Sequence, residues 1–343
     1  MYTRFGDNDI VTRQAQELVT STWTNNTNNL QVAHTSSTQA DFGSATSSGQ
    51  FFIEVRNLAS SDAASEVQYA LAHGNKNGSG SLNFTDDTGS LGVGASKVIY
   101  NQYRQLHFND DTTNFTFGTH TPDDIYVINI NRSRYKQRLT LGSLNLHISG
   151  NTKGVTTQAE IKLTDDSVTN GQSADSNLGP VFNIVSGSNG VVLSGTTATT
   201  QVGGSGSYGN FYPQAGLIIL NGDAFAGALK PLTNKNTADK NHESLFRHIS
   251  ESKHFIVDTT EEINSQFYFV RARNNQFNYT NNESFVDSDN NIRFESMKLN
   301  PKVFITTVGL YNDAFELMGV AKLSQPVTKD FTKEALIRVK LDF

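Results

Sequence analysis

Cysteine is absent from the 343 residues, which excludes disulfides and thiolate metal sites. A protein that meets an oxidising exterior without disulfides draws its stability from core size or from contacts with other subunits. Charge is also sparse, with 17% charged residues and a formal net charge of -6. That balance argues against non-specific nucleic-acid binding, which needs a dense basic face. No apolar run reaches the roughly 18 residues of a membrane-spanning segment. The opening stretch Met1-Tyr-Thr-Arg-Phe-Gly-Asp-Asn-Asp9 has no apolar core, so a secretory signal is not expected.

In place of charge the chain carries uncharged Ser, Thr, Asn and Gly, set beside 22 Phe and 11 Tyr. Polar turns alternating with aromatic strands are typical of extracellular and virion β-proteins. The pattern predicts a mainly β fold with a few helices (α+β), built of antiparallel, sandwich-like sheets joined by long polar loops. Two regions are expected. Residues 1–94 form a Ser/Thr/Asn-rich β region, a candidate attachment segment, and residues 95–343 form a β-rich structural core ending in a strand cassette at 300–343.

Strand patterns stand at Leu30–His34, Gln50–Arg56, Asp124–Asn131, Glu160–Leu163, Val181–Val185, Gly216–Leu220 and Gln266–Arg273. Val67, Tyr69 and Leu71 alternate as in a strand, although Ser60–Ser65 also reads as a helix cap. The runs at 124–131 and 216–220 are almost continuously apolar and predict buried strands, the second ending in an Asn221-Gly222 turn. A helix is expected over Ser96–His107, capped by Ser96, with Val98, Ile99, Gln102, Tyr103 and Leu106 on one face. A second starts near Thr237 or Asp239, with Leu245, Phe246 and Ile249 on its apolar side and Glu251 and Lys253 exposed. Residues 186–207 read as a long loop or extended hairpin arm.

No arrangement of residues meets the demands of an active site, so no cofactor, metal or catalytic residue is expected. Gly204, Gly206 and Gly209 match a dinucleotide fingerprint in spacing only, since no helix follows and Pro213 blocks one. Five acidic pairs, at 86–87, 110–111, 123–124, 165–166 and 261–262, invite comparison with paired glycosidase carboxylates. They read instead as turn residues whose side chains bond their own backbone. Asp287-Ser-Asp-Asn-Asn291 begins like a calcium loop but has Ile292 where glycine is required and Lys298 where a bidentate glutamate is required. His242, His248, Glu251 and His254 lack the metalloprotease spacing and read as solvated or capping residues. Arg132, Arg134, Lys136 and Arg138 form a basic stretch that either faces an acidic partner subunit or protects a solvated strand edge.

The most recognisable part of the chain is its last 44 residues, three strand-like runs within Asn300–Asp313, Glu316–Val327 and Glu334–Phe343. With them stand Tyr126-Val-Ile-Asn-Ile-Asn-Arg-Ser-Arg-Tyr-Lys136, Tyr208-Gly-Asn-Phe-Tyr-Pro-Gln-Ala-Gly-Leu-Ile-Ile-Leu-Asn221 and Phe267-Tyr-Phe-Val-Arg-Ala-Arg-Asn-Asn-Gln-Phe-Asn-Tyr-Thr-Asn-Asn282. In this order the four stretches, covering about residues 95–343, resemble a structural protein of T4-like contractile-tailed phages of marine cyanobacteria. The resemblance implies a non-enzymatic tail or baseplate component, made in the host cytoplasm and carried in the virion. It implies several copies per particle and other tail proteins as partners, with neither nucleic acid nor membrane bound.

Under that resemblance the interface residues are the basic stretch and Leu336, Ile337, Val339, Leu341 and Phe343 of the final strand. The first two runs of the cassette are expected to form a hairpin around Tyr311-Asn-Asp-Ala314, and the last to close a sheet of its own chain or a neighbour's. Thr306–Asp313 is also similar to a strand-turn motif of tail-collar and fibre proteins. A receptor- or glycan-binding protein at the tail periphery is therefore the alternative, with Tyr208, Phe211 and Tyr212 as its aromatic candidates.

Overall fold

The computed structural model describes residues 3–24, 33–34, 52–58, 61–80, 95–150, 160–193, 207–225, 241–279 and 283–342. Strands β1 to β6 span Ile10–Ser21, Ala33–His34, Phe52–Arg56, Val67–Asn75, Asp124–Ile130 and Arg138–Leu139. Strands β7 to β12 span Asn145–Ser149, Glu160–Asp165, Ala174–Ser176, Gly179–Ser188, Val191–Val192 and Gly209–Tyr212. Strands β13 to β18 span Leu217–Asn221, Phe255–Ile256, Asp258–Ala272, Val303–Tyr311, Leu317–Lys329 and Ala335–Asp342. The helices are α1 (Ala95–Phe108), α2 (Asn241–Ser252) and the single turn α3 (Ser296–Leu299). The chain is mostly β with antiparallel pairing, as its composition predicts.

The chain divides into two compact units, one of residues 18–261 and one of residues 1–17 with 262–343. This division does not follow a boundary at 94/95, because β3 and β4 pair into the same sheet as β5. In the larger unit a curled sheet runs in the order β14-β7-β8-β10-β12-β13-β5-β4-β3-β2. Its central strands carry unbroken apolar runs because both faces are covered. Tyr126, Ile128, Ile218 and Leu220 join one core with Leu245 and Ile249 of α2, while Ile125, Val127, Leu217 and Ile219 join another with Ile99, Tyr100 and Tyr103 of α1. Burying each such side chain stabilises the fold by about 1.5–3 kcal/mol. An antiparallel strand usually alternates because one face meets water; the two helices remove that reason here.

Local details differ from the sequence reading in ways the packing explains. Val67–Asn75 is a strand. Helix α1 buries Ser96, Ile99, Tyr100 and Tyr103, and it leaves Val98 and Leu106 exposed at 50% and 42%. The apolar face is thus turned by one residue so that Tyr100, rather than Val98, enters the core. Ser96 lies inside the helix, where its hydroxyl donates to the Ser79 carbonyl at 2.8 Å. Asn221-Gly222 makes no hairpin turn. The Asn221 side chain accepts from Asp223 N at 3.1 Å and caps a 3-10 turn over Gly222–Ala224. The hairpin of β12 and β13 turns instead at Pro213–Gly216, with Gly216 at φ +64°. Ser188 and Val191 pair across Asn189-Gly190, so the start of the expected hairpin arm is a short hairpin. Residues 194–206, Leu30–Val32, Thr237 and Asp239 lie outside the described residues.

In the smaller unit the sheet β1-β15-β18 packs one face against the hairpin of β16 and β17. Val308, Leu310, Ile305, Ala321 and Leu323 of the hairpin meet Tyr268, Val270, Ile337 and Val339 of the sheet, with Phe5 beside Tyr268. The hairpin turns at Asn312, whose side chain accepts from Glu316 N at 2.8 Å and donates to the Glu316 carboxylate at 2.8 Å. The expected turn at 311–314 thus falls within one residue of its place.

Candidate functional site

The basic stretch folds onto itself. Asn131 accepts from Ser133 N at 3.0 Å and starts a 3-10 turn over Arg132–Arg134. The guanidinium of Arg132 donates to the Tyr135 carbonyl at 2.6 Å and lies 4.6 Å from the Tyr135 ring centre. Arg134 reaches inward, donating to the Glu66 carboxylate at 2.8 Å and to the Thr24 hydroxyl. Bonds from Thr24 and then Arg134 hold the Glu66 carboxyl below its ordinary range. Arg138 is half-buried in β6, opposite Thr260 of β15, while Lys136 is exposed. The stretch therefore anchors a loop, with Arg132 and Arg134 bonded within the chain.

The final strand alternates sharply. Ile337 and Val339 are 7% and 8% exposed and belong to the core of the smaller unit, whereas Leu336 and Leu341 are 57% and 39% exposed. Phe343 lies outside the described residues. The strand pairs within its own chain, from Ser265 opposite Asp342 to Ala272 opposite Ala335. On the face away from the core, Phe267 stands opposite Lys340, Phe269 opposite Arg338, and Arg271 opposite Leu336. The guanidinium of Arg338 lies 5.3 Å from the Phe267 ring centre.

The hairpin tip is apolar and open. Tyr311, Phe315, Leu317, Met318 and Val320 are exposed by 43, 63, 53, 71 and 59%. Phe315 adopts φ +61°, a conformation unusual for a bulky residue, and so holds its ring at the turn. Its amide donates to the Asn312 carbonyl at 3.0 Å.

Several polar groups are buried, and the sequence carries no signal of that burial. Asp165 and Asp166 are fully buried. The Asp165 carboxylate accepts from Gly142 N at 2.8 Å and Leu144 N at 3.2 Å, and Asp166 accepts from Asn183 N at 2.9 Å. They clamp distant backbone as well as their own turn, where Ser167 donates to Asp165 and Asn170 to Asp166, and burial raises the Asp165 carboxyl above its usual range. Asp110 also bonds its own turn, through Thr112 and Thr113. His242 and His248 are buried, not solvated. Ser149 contacts both His248 Nδ1 at 2.8 Å and Glu251 at 2.7 Å. Its one proton goes to Glu251, so His248 Nδ1 donates to the Ser149 oxygen and Nε2 is left buried without a partner. This is the reverse of an activated serine, in which the imidazole accepts the hydroxyl proton. His73 pairs with Asp124 at 2.9 Å, and the rings of His147 and His254 lie 4.1 Å apart.

The Asp287 carboxylate accepts from Asp289 N at 3.0 Å and Asn291 N at 2.7 Å, so it closes its own loop. Among the described residues no group of three or more His, Asp and Glu is arranged to hold a metal. Tyr208, Phe211 and Tyr212 are at most 3% exposed and form core, not a glycan platform. Gly209 belongs to β12, where a Cβ would meet the Ile219 carbonyl at 2.3 Å; its fingerprint companions lie outside the described residues. No family model, curated protein or solved structure matches the chain.

Proposed function

We propose that this chain is a non-enzymatic structural component of the tail or baseplate of a contractile-tailed phage, acting through subunit contacts. The observation that carries the reading is the apolar tip of the β16–β17 hairpin. Five large apolar side chains are held open to water at one turn. Contiguous apolar surface on a folded chain marks a contact site, since its exposure to water is unfavourable. The polar clusters described above hold loops and strand ends in place, a use of polar groups that suits an architectural role. The particle-level resemblance assigns the contact to neighbouring tail proteins. A density map of the whole particle tests the reading: the chain is expected between tube or sheath and the peripheral proteins, with its hairpin tip buried against a neighbour. A distal, solvent-exposed trimer would overturn it.

A further inference from the structure

The outer edge of β18 is the feature whose chemistry specifies a partner most narrowly. Among the described residues no strand pairs with that edge. An unpaired edge offers its backbone N–H and C=O groups to any extended segment with compatible side chains. Which segment is compatible follows from the two faces of the strand. Inward, Ile337 and Val339 join the core, and Leu341 stands partly exposed beside them. Outward, Leu336, Arg338 and Lys340 stand in a row, backed by Arg271, Phe267 and Phe269 on β15. Arg338 has the Phe267 ring beneath it, which fixes the guanidinium in place. Lys340 contacts Asp342 at 2.9 Å, and Asp342 also accepts from Ser265 at 2.7 Å.

A second copy of the same strand fits poorly. In a two-fold antiparallel pair centred on Val339, Arg338 would face Lys340 of the other copy, and vice versa. Centring the pair on Arg338 or on Lys340 sets that cation against itself, and like charges directly opposite are unfavourable. Centring on Ile337 or Leu341 sets Lys340 against Glu334 or Asp342 of the other copy but gives Arg338 no carboxylate, so no self-paired register satisfies both cations.

We propose that β18 is extended, edge to edge, by a segment of a partner protein that alternates carboxylate and apolar side chains. Its carboxylates stand opposite Arg338 and Lys340, and its apolar residues continue the inner face beside Val339 and Leu341. The inference names the partner chemistry of an assembly surface and so rests on the structural reading above. Its failure is separable from that reading: a chain that enters particles normally but binds no such segment loses only this inference.

The test is fluorescence anisotropy of the full chain with three labelled probes: a nine-residue peptide alternating Val and Glu, its Val/Lys counterpart, and a 20-nucleotide oligo(dT). The Val/Glu peptide is expected to bind, with at least about tenfold weaker binding after R338E/K340E, because reversing both charges turns two cross-strand attractions into like-charge repulsions. The double variant is also expected to gain the Val/Lys peptide, an inversion that an unfolded protein would not show. Arg338→Gln alone is the milder check and should weaken the Val/Glu peptide without inversion. N-methylation of alternate peptide amides should abolish binding by removing the edge hydrogen bonds. Equal binding of both peptides, an unchanged affinity in R338E/K340E, binding that survives N-methylation, or tighter binding of the oligonucleotide would each overturn the proposal.

Discussion

Titration behaviour is decided residue by residue, and His107 is the clearest case. It lies near the end of α1, with its ring 5.7 Å from Phe115 and 5.3 Å from Tyr212, and its Nδ1 is buried without a hydrogen-bond partner. Burial pushes its pKa from 6.5 down to about 4. The unfolded chain therefore takes up a proton near pH 6.5 that the folded chain refuses until about pH 4. Stability is retained above the unfolded value and falls as the pH drops through that window, by roughly 1–2 kcal/mol after allowance for partial solvent access. Urea midpoints measured from pH 7.5 to 4.5 should show the decline, and His107→Phe should flatten it. An identical slope in wild type and variant would show that other groups carry the effect. The Asp165–Asp166 pair works at the same scale, but as scaffolding. Its adjacent carboxylates were legible in the sequence as a pair, and only the fold brings Gly142, Leu144 and Asn183 to them.

Among the elements, α1 depends on one glycine. A Cβ at Gly74 of β4 would meet the Tyr100 backbone nitrogen at 2.9 Å and the Ile125 side chain at 3.1 Å. The helix sits that close because Tyr100 is fully buried against the sheet. Gly74→Ala is expected to force helix and strand apart at a cost of about 1–3 kcal/mol, as overpacking does in well-filled cores. Thermal or chemical denaturation checks this; an unchanged midpoint would mean that the helix shifts freely. The register of α1 also shows where periodicity falls short. Positions 98, 99, 102, 103 and 106 and positions 96, 99, 100 and 103 both satisfy helical spacing. Tyr100 is the larger apolar body, and its hydroxyl accepts from Phe115 N at 3.2 Å, which tips the helix toward the second set.

For the whole molecule, the exposed hairpin predicts association. Replacing Phe315 and Met318 by Ser leaves the core of the smaller unit intact, because neither side chain is buried. The double variant should keep the wild-type unfolding temperature while losing self-association or entry into particles, as read by mass photometry and by particle composition. Normal entry would sink the hairpin as an assembly element. Removing residues 337–343 is a poorer test than these substitutions. Ile337 and Val339 are core residues, so the truncation would unsettle the fold together with any contact. The amino-acid sequence alone determined the β class, the buried strands at 124–130 and 217–221, and the hairpin near 311–314. These rest on local periodicity and turn chemistry, which act between neighbours in the chain. Only the tertiary structure decided that β18 pairs with β15, that Arg134 turns inward to Glu66, and that His242 and His248 are buried. Those outcomes depend on partners far away in sequence, which no short window of residues encodes.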